Sequence, residues 1–436
     1  MRRTTPGGAR KPIESALIVG CPGARLLQEP PAGRVAMKFS FESAELLLLI
    51  AAVVAMLTRR LRLPYSAGLV AAGMGLALLP FSPRLSLTKE LLFTVLLPPL
   101  IFEAAFQLPW KPLRRNLSLI LVLASAGVLL SAGVTAVGMY YLAHWDWLSS
   151  LVFGALIAAT DPVSVVATFR EARAHGRLLL LVEAESLFND GTAAVFFGAA
   201  VAWALGRSPT AVEMTATILA MVGGGLLCGV AVAGAMLLLA GRAEDHLVEI
   251  TFTTVAAYGS FLLAEHFHVS GVLATLAAGL MMGNLGPLGA ISPRGREAVQ
   301  AFWDYAAFVA NSLVFLLIGM HVARENFAAV WLPAVAAILL VVLGRAVAIY
   351  PCCFLFSWSA LRVTWRHQHI LFWGGLRGAL ALALALGLPP EVPARESIIT
   401  ISFAVVAFSV FVQGLTMTPL LRRLGEIPGP SPVPTQ

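Results

Sequence analysis

The chain has 436 residues, of which 58% are hydrophobic and only 12% charged, with a net charge of +7. This composition excludes a soluble domain and describes a polytopic membrane protein. The basic residues sit in short loops between apolar runs and form no block, so they read as topology signals, and no nucleic-acid partner is expected.

Residues 1–36 are rich in Pro, Gly and Arg, and the run from Ile13 to Cys21 is too interrupted for a signal sequence. Met37 opens directly ahead of the first apolar segment, and the expected translation start is there, with 1–36 a disordered or mis-assigned extension. Thirteen apolar segments follow: 43–58, 64–80, 87–106, 114–143, 149–169, 177–205, 211–240, 247–266, 269–284, 299–322, 327–357, 368–388 and 397–420. With the C-terminus in the cytoplasm, the inner loops hold sixteen Lys or Arg and the outer loops five. The expected orientation is therefore N-terminus out, C-terminus in, across the cell membrane. The tail at 426–436 is short and Pro-rich.

Cys228, Cys352 and Cys353 lie in apolar runs and read as small hydrophobes, and the four cysteines show no metal spacing. The sequence carries no nucleotide motif, so no cofactor is expected and an ion gradient must drive any transport.

Two stretches hold the chemistry. Thr160-Asp161-Pro162 puts an acid and a helix-breaking proline in the middle of the fifth segment, where freed backbone is tolerated only if buried in protein or lining a wet cavity. Glu185-Ser186-Leu187-Phe188-Asn189-Asp190 places Glu185 and Asn189, and Ser186 and Asp190, four residues apart on adjacent faces of the sixth. A charged side chain at mid-depth costs about 2.5–3.5 kcal/mol on insertion scales, so such acids carry function. Carboxylate, amide and hydroxyl oxygens suit a small hard cation, and the carboxylate accepts a proton in its place. The glycine-rich interruption Gly374-Gly375-Leu376-Arg377-Gly378 breaks the twelfth segment. Counted from opposite ends, the fifth and twelfth correspond, with the seventh, 211–240, left over as a linker between two six-segment inverted repeats.

Four motifs in the expected order carry a family resemblance: Leu97-Pro98-Pro99-Leu100-Ile101-Phe102-Glu103, Ala159-Thr160-Asp161-Pro162, Glu185-Ser186-Leu187-Phe188-Asn189-Asp190-Gly191 and Gly374-Gly375-Leu376-Arg377-Gly378. The chain from Met37 to about Gly425 resembles the first monovalent cation/proton antiporter family, which includes NhaP-type bacterial Na+/H+ antiporters and the animal sodium/proton exchangers. The resemblance implies an all-α fold of about thirteen transmembrane helices within 37–425, with crossed discontinuous helices. It also implies a homodimer in lipid, with a moving core (114–205 and 327–420) and dimerisation helices (43–106 and 247–322).

The resemblance implies exchange of Na+ or Li+ for H+ at Asp190, and not an enzyme. Thr160 and Ser186 are expected to add oxygen ligands for Na+. Asn189, where a related electrogenic group has a second aspartate, implies electroneutral 1:1 exchange. Asp161 either ligates the ion or neutralises the positive ends of half-helices facing the break, and the second role keeps the charge match. Arg345 and Arg377 are the two basic residues deep in segments. Glu185 is assigned to Arg345, with Arg377 left to compensate helix C-termini, and the reverse assignment stays open. Glu103 and Glu183 are acids of unassigned role, and the eight histidines lie at loops or segment ends. A K+/H+ exchanger on the same scaffold is the alternative within transporters, and a cation channel is the alternative outside them.

Overall fold

The computed structural model describes residues 41–61, 63–79, 87–171, 176–206, 210–240, 245–286 and 291–427. The extension at 1–36, Met37, Cys21 and the tail beyond 427 lie outside the described residues.

Among these, the regular elements are all helical, and they make thirteen segments in order. These are α1 (Phe41–Leu61), α2 (Tyr65–Ala77), α3 (Leu91–Gln107), α4 (Trp110–Leu142), α5a (Trp147–Ile157) with α5b (Val163–Glu171), α6 (Arg177–Ala204) and α7 (Ala211–Ala240). The second half continues with α8 (His246–His266), α9 (Gly271–Leu285), α10 (Pro293–Val322), α11 (Trp331–Phe354), α12a (Trp365–Trp373) with α12b (Ala379–Leu386), and α13 (Arg395–Leu424). Seven are long and apolar enough to cross a bilayer as single helices.

Helix starts follow side-chain chemistry. Asp146, Asp245, Ser270, Ser292 and Thr364 each accept a hydrogen bond from a backbone N–H in the first turn of the helix that follows. The Ser292 cap starts α10 six residues ahead of the apolar run at 299, because the first turns are polar and hydropathy does not register them. α4 likewise begins at Trp110 rather than 114, since Lys111, Arg114 and Arg115 make its first turns polar and hydropathy does not register them. Three wider π-helical stretches, 91–96, 123–127 and 409–414, lie within α3, α4 and α13. Hydrophobic periodicity carries no signal for them.

Packing repeats between the halves with inverted order. α2 packs on α10 and α9 on α3; α1 lies against α2 and α8 against α9. α4 packs against α5a and α6, while α11 packs against α12a and α13, and α4 and α11 meet each other. The α2–α10 contact is close because a Cβ on Gly73 would overlap the carbonyl oxygen of Leu316, and one on Gly319 that of Val70. Small residues of this kind let membrane helices approach backbone to backbone, where dispersion does the holding.

The fifth and twelfth spans are the broken ones, and they cross at their breaks. Pro162 cannot donate a backbone hydrogen bond, and the glycines at 374, 375 and 378 weaken the other helix. The freed backbone pairs across the crossing, with Asp161 N–H donating to the Leu376 carbonyl at 2.7 Å in an isolated antiparallel bridge.

Candidate functional site

Four helix ends converge where the two breaks cross, and each faces a side chain of opposite sign. Two are positive. Asp161 Oδ1 accepts from Val163 N–H at 2.9 Å at the start of α5b. The N–H of Ala379, which opens α12b, faces the same carboxylate. The Asp161 carboxylate reaches α12b only because residue 378 is glycine, since a Cβ there would overlap Oδ2.

The other two ends are negative. Arg377 Nη1 donates to the carbonyls of Ala158 at 2.8 Å and Ala159 at 3.1 Å, just past the end of α5a. Arg345 Nη2 donates to Leu371 O at 3.0 Å in the last turn of α12a. The last carbonyls of a helix carry partial negative charge and lack intrahelical partners, so a buried guanidinium at each end satisfies both groups.

Arg345 also forms a two-point ion pair with Glu185, Nη1 to Oε1 at 2.7 Å and Nη2 to Oε2 at 2.9 Å. Both side chains are buried, at 6% and 2% exposure, so neither charge could stand without the other. Arg377 is fixed separately, its backbone N–H donating to Ser409 Oγ at 2.6 Å.

Thr160 is the hub for the remaining polar residues. Its hydroxyl lies 3.0 Å from Ser186 Oγ and accepts from Asn189 Nδ2 at 3.1 Å, while Ser186 Oγ donates to the Thr160 carbonyl. Asn189 Nδ2 also reaches Glu185 Oε1 at 3.4 Å. Asp190 faces the Thr160 N–H and stands within charge range of Asp161, Glu185 and Arg377. Two buried oxygens in this cluster, Asp190 Oδ1 and Asn189 Oδ1, have no hydrogen-bond partner among the described residues.

Asp190 lies on the wall of a cavity of about 440 Å³, with Thr160, Asp161 and Gly378 beside it. The cavity runs out past Glu183 of α6, Glu103 of α3 and Asp304 of α10 to Thr58 and Arg59 at the end of α1. Its wall thus brings Asp190, Asp161 and Thr160 together with Glu103 and Glu183, whereas Glu185, Asn189, Ser186 and Arg345 lie behind it. Gln107 links Glu103 and Asp304, at 2.6 and 2.7 Å.

Several participants carry no motif of their own. Ser409, the Leu371 carbonyl and Asp304 act through positions that only the crossing and the α3–α10 neighbourhood define. Thr192, one turn beyond Asn189, donates to the Ala124 carbonyl in the π-helical part of α4. Its i+3 spacing from Asn189 was the one visible signal.

A membrane protein whose inverted halves break at corresponding spans, with the breaks crossed at a polar site beside a cavity, is built as a secondary transporter. Residues 47–423 match the transmembrane sodium/hydrogen exchanger family, and the chain belongs to that family. It is 38% identical over 368 residues to the Na+/H+ antiporter ApNhaP of Aphanothece halophytica, an alignment covering 84% of this chain and 70% of that one. It is 32% identical over 399 residues to the Na+/H+ antiporter NhaH of Halobacillus dabanensis, covering 88% and 97%. The fold superposes on the sodium proton antiporter MjNhaP1 of Methanocaldococcus jannaschii at pH 8 with a TM-score of 0.71 and 19% identity, over 88% of this chain and 98% of that one.

Proposed function

We propose that the protein is a secondary active antiporter of the cell membrane that exchanges Na+ or Li+ for H+, one for one, at Asp190. The observation that carries the reading is Asp190 Oδ1, a buried carboxylate oxygen on the wall of a cavity with no hydrogen-bond partner among the described residues. The names of the relatives support Na+ as the cation. Cation and proton compete for one carboxylate, so occupancy by one releases the other, and coupling needs no further device.

Thr160 shares the cavity wall with Asp190 and is hydrogen-bonded to Ser186 behind it, so these two hydroxyls are the neutral oxygens we assign to the partly dehydrated cation, with Asn189 Oδ1, unpaired among the described residues, as a further one. The other charges of the crossing are already committed: Glu185 to Arg345, Asp161 to helix N-termini, Arg377 to helix carbonyls. One exchangeable charge then remains, which supports an electroneutral cycle.

Alternating access would move the group α4–α6 with α11–α13 against α1–α3 with α8–α10, carrying the site between faces. The cavity mouth beside Arg59 lies on the side that the excess of basic loops assigns to the cytoplasm, which supports an inward-open state with the C-terminus inside. The apolar outer faces of α1, α7 and α8 suit lipid and a second copy of the chain.

Asp190→Asn tests the site. In proteoliposomes with the potential clamped, Na+-driven proton movement is expected to fall at least a hundredfold, while the melting temperature in detergent holds. Substantial Na+-dependent proton flux in that variant would refute the assignment.

A further inference from the structure

α10 joins the two faces of the molecule. Its stretch from Asp304 to Phe315 walls the cavity. His321 comes six residues after Phe315, about 9 Å further along the helix axis and away from the cavity. There His321 Nε2 lies 2.9 Å from Glu325 Oε1, with Arg324 between them in sequence. Thr400 of α13 donates its hydroxyl to Glu325 Oε2 at 2.7 Å. The His321 ring stacks on Phe403, also of α13, with centroids 4.1 Å apart and planes within 20°. Thr400 and Phe403 are three residues apart, so one face of α13 supplies both contacts.

Lys89, two residues ahead of α3, lies close to the end of α12b on this side. A Cβ on Gly387, just past α12b, would come within 3.3 Å of its Cδ, and Glu265 at the end of α8 lies within its charge range.

We propose that His321, Glu325, Thr400 and Phe403 form a latch that holds shut the face opposite the cavity and parts in every transport cycle. The inference rests on the alternating-access reading above. Packed helices move as groups and do not deform continuously, so the His321–Phe403 stack between α10 and α13 cannot survive an opening between their groups at that end, and Glu325, three residues past α10, is drawn from Thr400 with it. Its strength suits the task. A single hydrogen bond or ring stack biases a two-state equilibrium by about three- to tenfold, enough to favour closure without trapping it. The latch shares no residue with the ion site, so it can set the resting state without touching the chemistry.

A reversible cross-link tests this. Cys21, Cys228, Cys352 and Cys353 are replaced by alanine in a background that retains exchange; His321→Cys and Phe403→Cys are then combined and bridged by a short, reducible bis-thiosulfonate. The expected result is loss of exchange by at least tenfold, recovered on reduction. In the bridged protein Ala167→Cys, on the cavity wall, stays reactive to an impermeant maleimide from the cavity side. Bridged protein that exchanges at the unbridged rate overturns the latch, as does failure to bridge when each cysteine alone reacts.

Thr400→Val gives a reading without the cross-link. It is expected to lower the half-saturating Na+ concentration on the latch side about fivefold, and no change there also counts against the proposal. The two readings stay separable. If Asp190→Asn abolishes exchange and bridged protein still exchanges, the latch alone is lost; if Asp190→Asn leaves exchange intact, the site assignment fails, and the sided maleimide reactivity still judges the latch.

Discussion

Two parts of the helix crossing, a few ångströms apart, are finished to different degrees. Around Glu185 the polar groups are matched except for Arg345 Nε: both carboxylate oxygens take an Arg345 nitrogen, and the same guanidinium reaches the Leu371 carbonyl. Around Asp190 the matching stops: Asp190 Oδ1 and Asn189 Oδ1 have no hydrogen-bond partner among the described residues. Satisfied groups hold a structure in one state, whereas an unsatisfied oxygen beside a cavity can take a ligand and give it up. The fold supplies the first kind so that the second can exist at membrane depth.

The comparison breaks most severely at the ion pair. Glu185→Gln leaves Arg345 buried at 5% exposure without a counter-charge, which is expected to cost about 3–5 kcal/mol. A large drop in melting temperature should follow, in contrast to Asp190→Asn. An unchanged melting temperature would mean that the pair does not hold the crossing together.

A smaller effect is expected where the backbone, not a charge, makes the room. In Gly378→Ala the new methyl would overlap Asp161 Oδ2, so either the carboxylate leaves the α12b terminus or the two breaks move apart. Forced displacements of this size cost about 1–3 kcal/mol. Because Asp161 also sits on the cavity wall, exchange should slow at least tenfold. Wild-type exchange and stability together would show that the carboxylate is not held at that helix end.

How far the sequence foretold this follows from the kind of signal each feature leaves. Hydropathy found all thirteen segments, because burying apolar length in lipid is a property of composition. The breaks at Thr160-Asp161-Pro162 and Gly374 to Gly378 were legible because proline and glycine act on the backbone locally, whatever their neighbours. That the two broken spans correspond was legible through the counting symmetry between halves, whereas their crossing was expected only from the family resemblance. The polar starts of α4 and α10 were invisible to hydropathy, since capping depends on single residues such as Ser292. The partition of the two arginines was legible only as an assignment with its reverse left open: Arg345 and Arg377 are both lone cations in apolar helices, and it takes the packing of α11 against α12a to bring Arg345 to Leu371. Asp304 was equally silent, an acid near the start of the apolar run at 299 until α3 brings Gln107 to it.

The mildest test concerns the boundary between the matched and unmatched parts, which runs through Asn189. Its Nδ2 donates to Thr160 Oγ1 at 3.1 Å and to Glu185 Oε1 at 3.4 Å, while its Oδ1 is one of the orphan oxygens. Asn189→Asp keeps the oxygen and removes the donor. Exchange is therefore expected to persist, and where the added carboxyl stays neutral beside Glu185 stability falls by about 1 kcal/mol, a hydrogen bond's worth. The substitution does not by itself make transport electrogenic, because a second carboxylate changes the stoichiometry only if it too loads and unloads during the cycle. A valinomycin clamp distinguishes the cases: unchanged flux on varying the potential keeps the count at one charge, whereas potential-dependent flux would place residue 189 among the groups that carry the ion.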